Sequence, residues 1–184
     1  SEMCIRDRKI EKVSDRKVRD EWKPLWGKRA VVEDHFNELV IDLVNPAGQP
    51  ERMQLVVRGY NDGFAFCYKI PDGKGPCVNV QSELTAYNFA GDYTAWFYNG
   101  ENHNIGPEKL TETDGTRLPV MTVKAGDKHY MAIHEACLET GAPLVLQSKG
   151  GGNRSFRSLP SRPVCRRDIH QPGVSFCMGR HLAC

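Results

Sequence analysis

A turn tripeptide between two strand-like runs constrains the fold of this 184-residue chain more than any other feature. The tripeptide 61–63, Asn-Asp-Gly, separates an aliphatic run at 55–58 from a run at 64–70 in which large and small side chains alternate. Alternation with a period of two places the large side chains on one face of a strand. Asp-Gly between such runs is a strong hairpin signal, because glycine accepts a positive φ at no steric cost. The face predicted to be buried carries Phe64, Phe66, Tyr68 and Ile70.

Other short strand-like runs, divided by turn residues, follow one another between residues 22 and 147. The polar, glycine-containing stretch 99–116 predicts a long surface loop. Many short strands without helical patterns between them favour an all-β, antiparallel sandwich. The predicted strands are 37–44, 51–58, 63–70, 83–90, 93–98, 118–124, 129–136 and 143–147.

The two ends of the chain differ in composition from its centre. Residues 1–21 are charged and poor in large apolar side chains, which predicts a segment outside the core, some helix across 9–22, and an artefactual origin for the first residues. Residues 148–184 are irregular and rich in Gly, Pro and Arg, so they bury too little apolar surface to offset the entropy of ordering. We expect a truncated sandwich domain over 22–147 and a disordered or non-native basic tail after it.

Charge and cysteine content narrow the function classes. The net charge of +2 combines +1 for residues 1–21, −5 for 22–147 and +6 for 148–184. The basic tail lacks the motifs that accompany nucleic-acid binding, so no nucleic-acid partner is expected. No run approaches the roughly 20 apolar residues of a membrane span. The seven cysteines show no C-x-x-C pair, so zinc is unsupported, and Cys67 and Cys137 are interpreted as small buried fillers.

Four blocks carry a resemblance to a known family. They are WKPLWGK at 22–28, HFNEL at 35–39, RGYNDGFAFCYKI at 58–70 and YMAIHEA at 130–136. In this order they resemble the N-terminal domain of glycoside hydrolase family 97, a family of bacterial α-glucosidases and α-galactosidases. The resemblance extends over residues 22–146.

The resemblance implies a β-super-sandwich like that of the galactose-mutarotase superfamily. In the family this sandwich packs against a catalytic (β/α)₈ barrel, which is followed by a small C-terminal β domain. Such a barrel needs about 200 or more residues, so we expect no catalytic residue in this chain and no hydrolysis by the chain alone. The resemblance also implies an α-linked oligosaccharide substrate and a periplasmic or secreted location, although no signal peptide is seen in this sequence.

The resemblance implies further that Glu135, in the His-Glu-Ala motif, supplies one ligand to a calcium ion at the barrel active site. On the predicted strand, Glu135 shares a face with Met131 and Ile133, while His134 points to the other face. A carboxylate that ends an apolar strand face suits calcium, which prefers oxygen ligands. The residues alone leave open a solvated strand-end carboxylate, and His134 is a candidate neighbour of the substrate site. We expect Glu135 to point outward at the rim of an exposed apolar surface.

Seven aromatic side chains allow two interpretations, sugar stacking and packing in the core or between domains, of which packing is favoured. A free-standing carbohydrate-binding module is therefore kept as the alternative function. A mutarotase-like enzyme would need a His and a Glu facing one sugar, and His134 and Glu135 are predicted to face apart. The seven aromatic residues are Trp22, Trp26, Tyr60, Tyr87, Tyr93, Trp96 and Tyr98.

Overall fold

The chain folds into strands throughout the part that the computed structural model describes. Those residues contain no helix of the length and hydropathy needed to cross a membrane. The predicted all-β, antiparallel class is confirmed. Cys4, Cys77, Cys137 and Cys184 lie outside the described residues. The described residues are 8–46, 51–70, 78–80, 84–100, 104–136, 143–160, 164–166, 169–171 and 174–177.

The strands are short except for the first two, and all pairings among the described residues are antiparallel. The strands are β1 (Lys9–Trp22), β2 (Val32–Val44), β3 (Arg52–Tyr60), β4 (Gly63–Ile70), β5 (Val78–Val80), β6 (Ala86–Asn88), β7 (Thr94–Tyr98), β8 (Asn104–Lys109), β9 (Thr116–Lys124), β10 (Tyr130–Glu135), β11 (Leu144–Ser148), β12 (Ser155–Pro160), β13 (Val164–Arg166), β14 (Ile169–Gln171) and β15 (Val174–Cys177).

One hydrogen-bonded path connects most of the strands, in the order β1-β2-β3-β4-β15-β10-β9-β11-β12-β6. Strand β7 pairs with β9 and β8, strand β14 pairs with β4, and β5 forms a separate pair with β13. The path bends at β9, because the second half of β9 pairs with β10 and the first half of β9 pairs with β11. A strand that passes from one sheet to another is the usual way in which a sandwich forms a corner.

The hairpin predicted around residues 61–63 is confirmed. Tyr60 pairs with Gly63, which leaves Asn61 and Asp62 as a two-residue turn between β3 and β4. Gly63 opens β4 and does not have a positive φ, so its role differs from the one expected. Within β4, Phe66 packs against the core, whereas Phe64 remains 43% exposed.

The first strand differs from the helix considered for 9–22. Strand β1 pairs with β2 from Lys9↔Val44 to Trp22↔Val32, with one register shift near Ile10. Its side chains are exposed except for the half-buried Val18. Because neither face is buried, the apolar alternation that identifies a strand is missing, and pairing with β2 determines the conformation instead.

The described structure also extends past the predicted domain end at residue 147. Strand β12 pairs with β11 and β6, and Phe156 is fully buried between aromatic neighbours. Ser158 shares the face of Phe156, and Ser155 is buried on the other face, so these small polar residues conceal the apolar pattern in the sequence. In the same way, β8 lies within the predicted surface loop 99–116, where its Gly-Pro dipeptide disguises the strand.

The apolar core lies between the β7–β9–β10 strands and the β6–β12–β11 strands. Tyr87 and Phe156 from one side contact a cluster that includes Phe97 and Ile133 from the other. Partly buried residues, among them Phe66 and Met131, pack at its margin. The core therefore occupies the end of the sheet opposite β1 and lies directly under the strand that carries Glu135. The buried cluster consists of Tyr87, Ala95, Phe97, Leu110, Met121, Val123, Ile133, Leu144, Leu146 and Phe156.

Candidate functional site

Glu135 ends β10 at the margin of the core. Ile133, two residues earlier on the same face, is fully buried, and Met131 packs against the core cluster. Glu135 itself is half-buried. The strand alternation thus agrees with the face predicted for these three residues, and the apolar face ends in a carboxylate.

The Glu135 carboxylate spans the gap between two strands of the corner. Its Oε2 accepts a hydrogen bond from the backbone N–H of Leu144, the first residue of β11, and its Oε1 is shielded from solvent. This direction differs from the outward one that was expected. The first amide of β11 needs an acceptor where β11 follows β10 along β9, and Glu135 is the side chain that supplies it.

The corner strand β9 places these two elements side by side. Its residues Met121 to Lys124 pair with β10, and Thr116 and Arg117 pair with β11. Consequently β10 and β11 both pair with β9, at successive positions along that strand. A side chain at the end of β10 can therefore reach the start of β11.

His134 lies on the opposite face of β10. It is half-buried, and its Nδ1 lies 2.9 Å from the backbone oxygen of Glu135. Because consecutive side chains of a strand face apart, His134 and Glu135 do not converge on one ligand. The geometry disfavours a mutarotase-like His–Glu pair at these two positions.

Calcium ligation by Glu135 stays a prediction. Calcium takes about six to eight oxygen ligands. Among the residues that the structure describes, no group of three or more His, Cys, Asp or Glu side chains could hold a metal ion. Glu135 would be one ligand of a set completed by residues outside the described part of this chain.

A second carboxylate cluster was not predicted from the sequence. Glu38, on β2, is only 6% exposed and accepts hydrogen bonds from Arg16 Nε at 2.6 Å and Arg58 Nε at 2.8 Å. The guanidinium of Arg58 lies 4.4 Å from the centre of the Phe36 ring, which in turn packs 5.4 Å from the Tyr60 ring. We call these five residues the arginine–glutamate cluster.

Strand register explains the arginine–glutamate cluster. Glu38 lies directly opposite Arg16 on β1 and Arg58 on β3, so the three side chains form one row across the sheet. Two of the sequence blocks, HFNEL and RGYNDGF, supply four of its five members. A register prediction for the 37–44 and 51–58 runs could have revealed the pair of Glu38 and Arg58, whereas Arg16 lay in a segment without a strand signal.

The electrostatics of this cluster are set by opposing effects on Glu38. Burial by itself would raise the pKa of its carboxyl group, but the hydrogen bonds and charges of Arg16 and Arg58 outweigh burial and hold that pKa below its ordinary value. Glu38 is therefore ionised at neutral pH. Nearby, burial raises the pKa of the half-buried Cys67 thiol, which has no disulfide partner.

The predicted aromatic residues divide between core and surface. Tyr87 is in the core, Tyr93 packs against it, and Trp96 is half-buried, in agreement with packing. Trp26 is 86% exposed and Trp22 43% exposed at the connection between β1 and β2. These two tryptophans are thus available for contacts outside the described structure.

Solved structures share this fold. A glycoside hydrolase family 97 enzyme from Pseudoalteromonas sp. strain K8, solved in complex with acarbose, superposes with a TM-score of 0.80 at 24% identity and covers 94% of this chain. The crystal structure of a beta-arabinopyranosidase superposes with a TM-score of 0.74 at 16% identity, also over 94% of this chain. This chain covers 28% and 32% of those two chains.

Sequence relatives give a family as well as a fold. A "Retaining alpha-galactosidase" of Bacteroides thetaiotaomicron is 28% identical over 159 residues, which are 77% of this chain and 23% of the relative. A "Probable retaining alpha-galactosidase" of Streptomyces bingchenggensis is 30% identical over 125 residues, which are 67% of this chain and 16% of the relative. This chain thus spans less than a quarter of either curated relative. The model of the family described as "Glycosyl-hydrolase 97 N-terminal" matches residues 2–163, and the chain belongs to that family.

Proposed function

We propose that this chain forms the β-sandwich part of a glycoside hydrolase acting on α-galactosides or α-glucosides. The observation that carries the proposal is the family match over residues 2–163, together with a shared fold that covers 94% of the chain. The names of the two curated relatives favour α-galactosides. A periplasmic or secreted location and an α-linked oligosaccharide substrate are parts of the same proposal.

The catalytic carboxylates belong, in this proposal, to a part of the protein outside this chain. Glycoside hydrolysis needs one carboxyl group to protonate the leaving oxygen and a second to act as base or nucleophile. Among the residues that the structure describes, the most buried carboxylate, Glu38, is held by two arginines, and Glu135 is bonded to the Leu144 amide. Each of these carboxylates has a role within the sandwich, so we expect the chain alone not to hydrolyse glycosides.

Glu135 is the residue through which we propose that the sandwich contributes to the active site. The Leu144 N–H fixes one carboxylate oxygen, and a hydrogen bond of this kind orients a metal ligand. Bound calcium would add a positive charge that positions and polarises oxygen atoms of the substrate. The sandwich holds the carboxylate in place, and the remaining oxygen ligands come from the rest of the protein. His134, on the opposite face of β10, stays a separate candidate for contact with the substrate.

A chimaeric enzyme tests this proposal. The segment of the Bacteroides thetaiotaomicron relative that aligns with this chain is replaced by residues 2–163 of this chain, and hydrolysis of p-nitrophenyl α-galactoside and α-glucoside is measured. We expect the chimaera to be active and calcium-dependent, and the 184-residue chain alone to be inactive. Hydrolysis by the chain alone would contradict the assignment of catalysis to another part of the protein.

The contribution of Glu135 is tested in the same chimaera. Glu135→Gln keeps the size of the side chain but removes its charge, and should weaken calcium binding by about tenfold or more in calorimetric titrations. Glu33→Gln on β2 is the matched control, since Glu33 is 72% exposed and lies far along the sheet from β10. Equal calcium affinity in the two variants would remove Glu135 from the ligand set.

The exposure of Trp22 and Trp26 favours one alternative, a free-standing carbohydrate-binding module. Exposed indole rings can stack on the C–H faces of sugars, and such binding changes tryptophan fluorescence. Titration of the chain with α-glucans and α-galactosides, comparing wild type with Trp26→Ala, measures this directly. Absence of a saturable change in the wild-type chain would eliminate the module.

A further inference from the structure

The connection between β1 and β2 carries an unusually exposed set of apolar side chains. We call residues 23–31, with the adjoining Trp22, the hairpin tip. Leu25 is 101% exposed, Trp26 86%, Trp22 43% and Val31 40%. These four large apolar residues lie within ten positions, where β1 and β2 extend as a two-stranded ribbon beyond their neighbour β3. An exposed apolar set of this kind is typical of a contact surface.

The backbone conformation of the hairpin tip is determined by strand pairing and by a glycine. Strand pairing continues to Trp22↔Val32, so the ribbon is ordered up to the tip. Gly27 has a φ of 131°, a conformation that side-chain-bearing residues rarely adopt. A Cβ built at Gly27 would meet no atom within 4 Å, so the dihedral angle and not lack of space requires glycine there. Leu25 and Trp26, which directly precede Gly27, are the two most exposed apolar side chains of the tip.

The charge of the tip indicates the chemistry of its partner. Residues 23–31 contain Lys23, Lys28 and Arg29 and no acidic residue. Two copies that met tip to tip would bring these cations together, which opposes self-association. The fitting partner has apolar pockets for Trp26 and Leu25, surrounded by acidic side chains.

We propose that the hairpin tip is the element by which this domain docks onto the remaining part of a longer polypeptide. The same fold occurs in a solved enzyme of which this chain covers only 28%, and this chain covers 23% of a curated relative, so most of each relative lies outside the domain. The inference rests on the proposed function. It adds that Leu25 and Trp26 occupy apolar pockets and that the three cations face acidic groups of that other part.

Hydroxyl-radical footprinting compares the exposure of the tip in two full chains. One is the 184-residue chain by itself, and the other is the chimaera with the Bacteroides thetaiotaomicron enzyme. Oxidation of the peptides that contain Leu25 and Trp26 should be strong in the isolated chain and several-fold weaker in the chimaera. Leu84, which is 71% exposed and lies outside the tip, is the internal control and should react equally in both. A second chimaera with the Pseudoalteromonas enzyme covers the case in which the first fails to fold.

The outcomes separate this inference from the proposed function. Protection of Leu25 and Trp26 supports the docking tip. Protection of other peptides, with the tip still reactive, overturns the tip as docking element but leaves a docked support domain. Protection of no peptide overturns both the docking tip and the docked support domain. Protection in the isolated chain that increases with its concentration would identify a second copy as the occupant and would also overturn the inference.

Discussion

The two ends of the sheet are stabilised by different forces. At one end, the strands around β9 bury ten residues in a continuous cluster that includes Phe97 and Phe156. At the other end, β1 leaves thirteen of its fourteen residues exposed. The burial of apolar surface that stabilises the first end therefore contributes little to β1.

Charged groups take the place of apolar burial along β1, which we call the arm, whereas its neighbour β2 buries Phe36 and Leu43. Arg16 on β1 binds Glu38 on β2, and near the other end of the ribbon Arg52 on β3 binds Glu11 on β1. Exposed ion pairs contribute about 0–1 kcal/mol each, so only the largely buried Glu38 is expected to matter strongly. The comparison predicts a strong core and an arm that is held by its backbone pairing with β2 and by one largely buried carboxylate.

Removing a core side chain should have the largest effect. Phe156→Ala deletes a fully buried ring and should lower the free energy of unfolding by about 3–5 kcal/mol. Urea denaturation followed by circular dichroism measures the loss. Phe64→Ala is the matched control: its ring is 43% exposed, so its loss should be much smaller. Similar losses in both variants would mean that β12 does not contribute to the core.

Removing the charge of Glu38 should have an intermediate effect. Glu38→Gln leaves the guanidinium groups of Arg16 and Arg58 without their carboxylate, and we expect a loss of about 1–3 kcal/mol in the free energy of unfolding. Hydrogen exchange should show faster opening of β1 amides than of β9 amides. Glu33→Gln, at a 72% exposed side chain of the same strand, should change stability by less than about 0.5 kcal/mol.

The contribution of Glu38 should also depend on pH. Its carboxyl pKa is lower in the folded chain than its ordinary value, which is about 4.3 in an unfolded chain. The stability it adds is therefore fully present above that ordinary value and is lost as the pH falls through the folded-state pKa. The difference in stability between wild type and Glu38→Gln should be largest at pH 7 and shrink below about pH 4. A difference that grows on acidification would contradict the assigned direction.

The sequence predicted strands best where large side chains alternate with small or polar ones. In β4, large side chains alternate with small or polar ones, and the strand was predicted to its observed ends. In β9, the buried Met121 and Val123 alternate with Thr122 and Lys124, and the strand was predicted nearly to its observed ends. The signal failed where burial is absent or unusual. Strand β1 has no buried face, and β12 buries Ser155 and Ser158 beside Phe156, so neither shows apolar alternation.

The candidate site was predictable in position but not in orientation. Alternation along β10 placed Glu135 on the face of Ile133, and the structure agrees. The bond to the Leu144 amide depends on how β9 divides its pairing between β10 and β11, which is a long-range property that local patterns do not contain. The arginine–glutamate cluster was missed for the same reason, because it requires the register of three strands.

Substitutions in the hairpin tip should have the smallest effect on the stability of the isolated chain. Leu25→Ser with Trp26→Ser removes two large apolar side chains, yet both are exposed, so the free energy of unfolding of the isolated chain should change by less than about 0.5 kcal/mol. Urea denaturation beside Phe156→Ala measures the contrast. In the chimaera, the same double variant should lower the melting temperature, because burial of these side chains contributes there and not in the isolated chain. A large loss in the isolated chain would instead mean that the tip packs against the arm itself, and the arm would then have an apolar contact of its own.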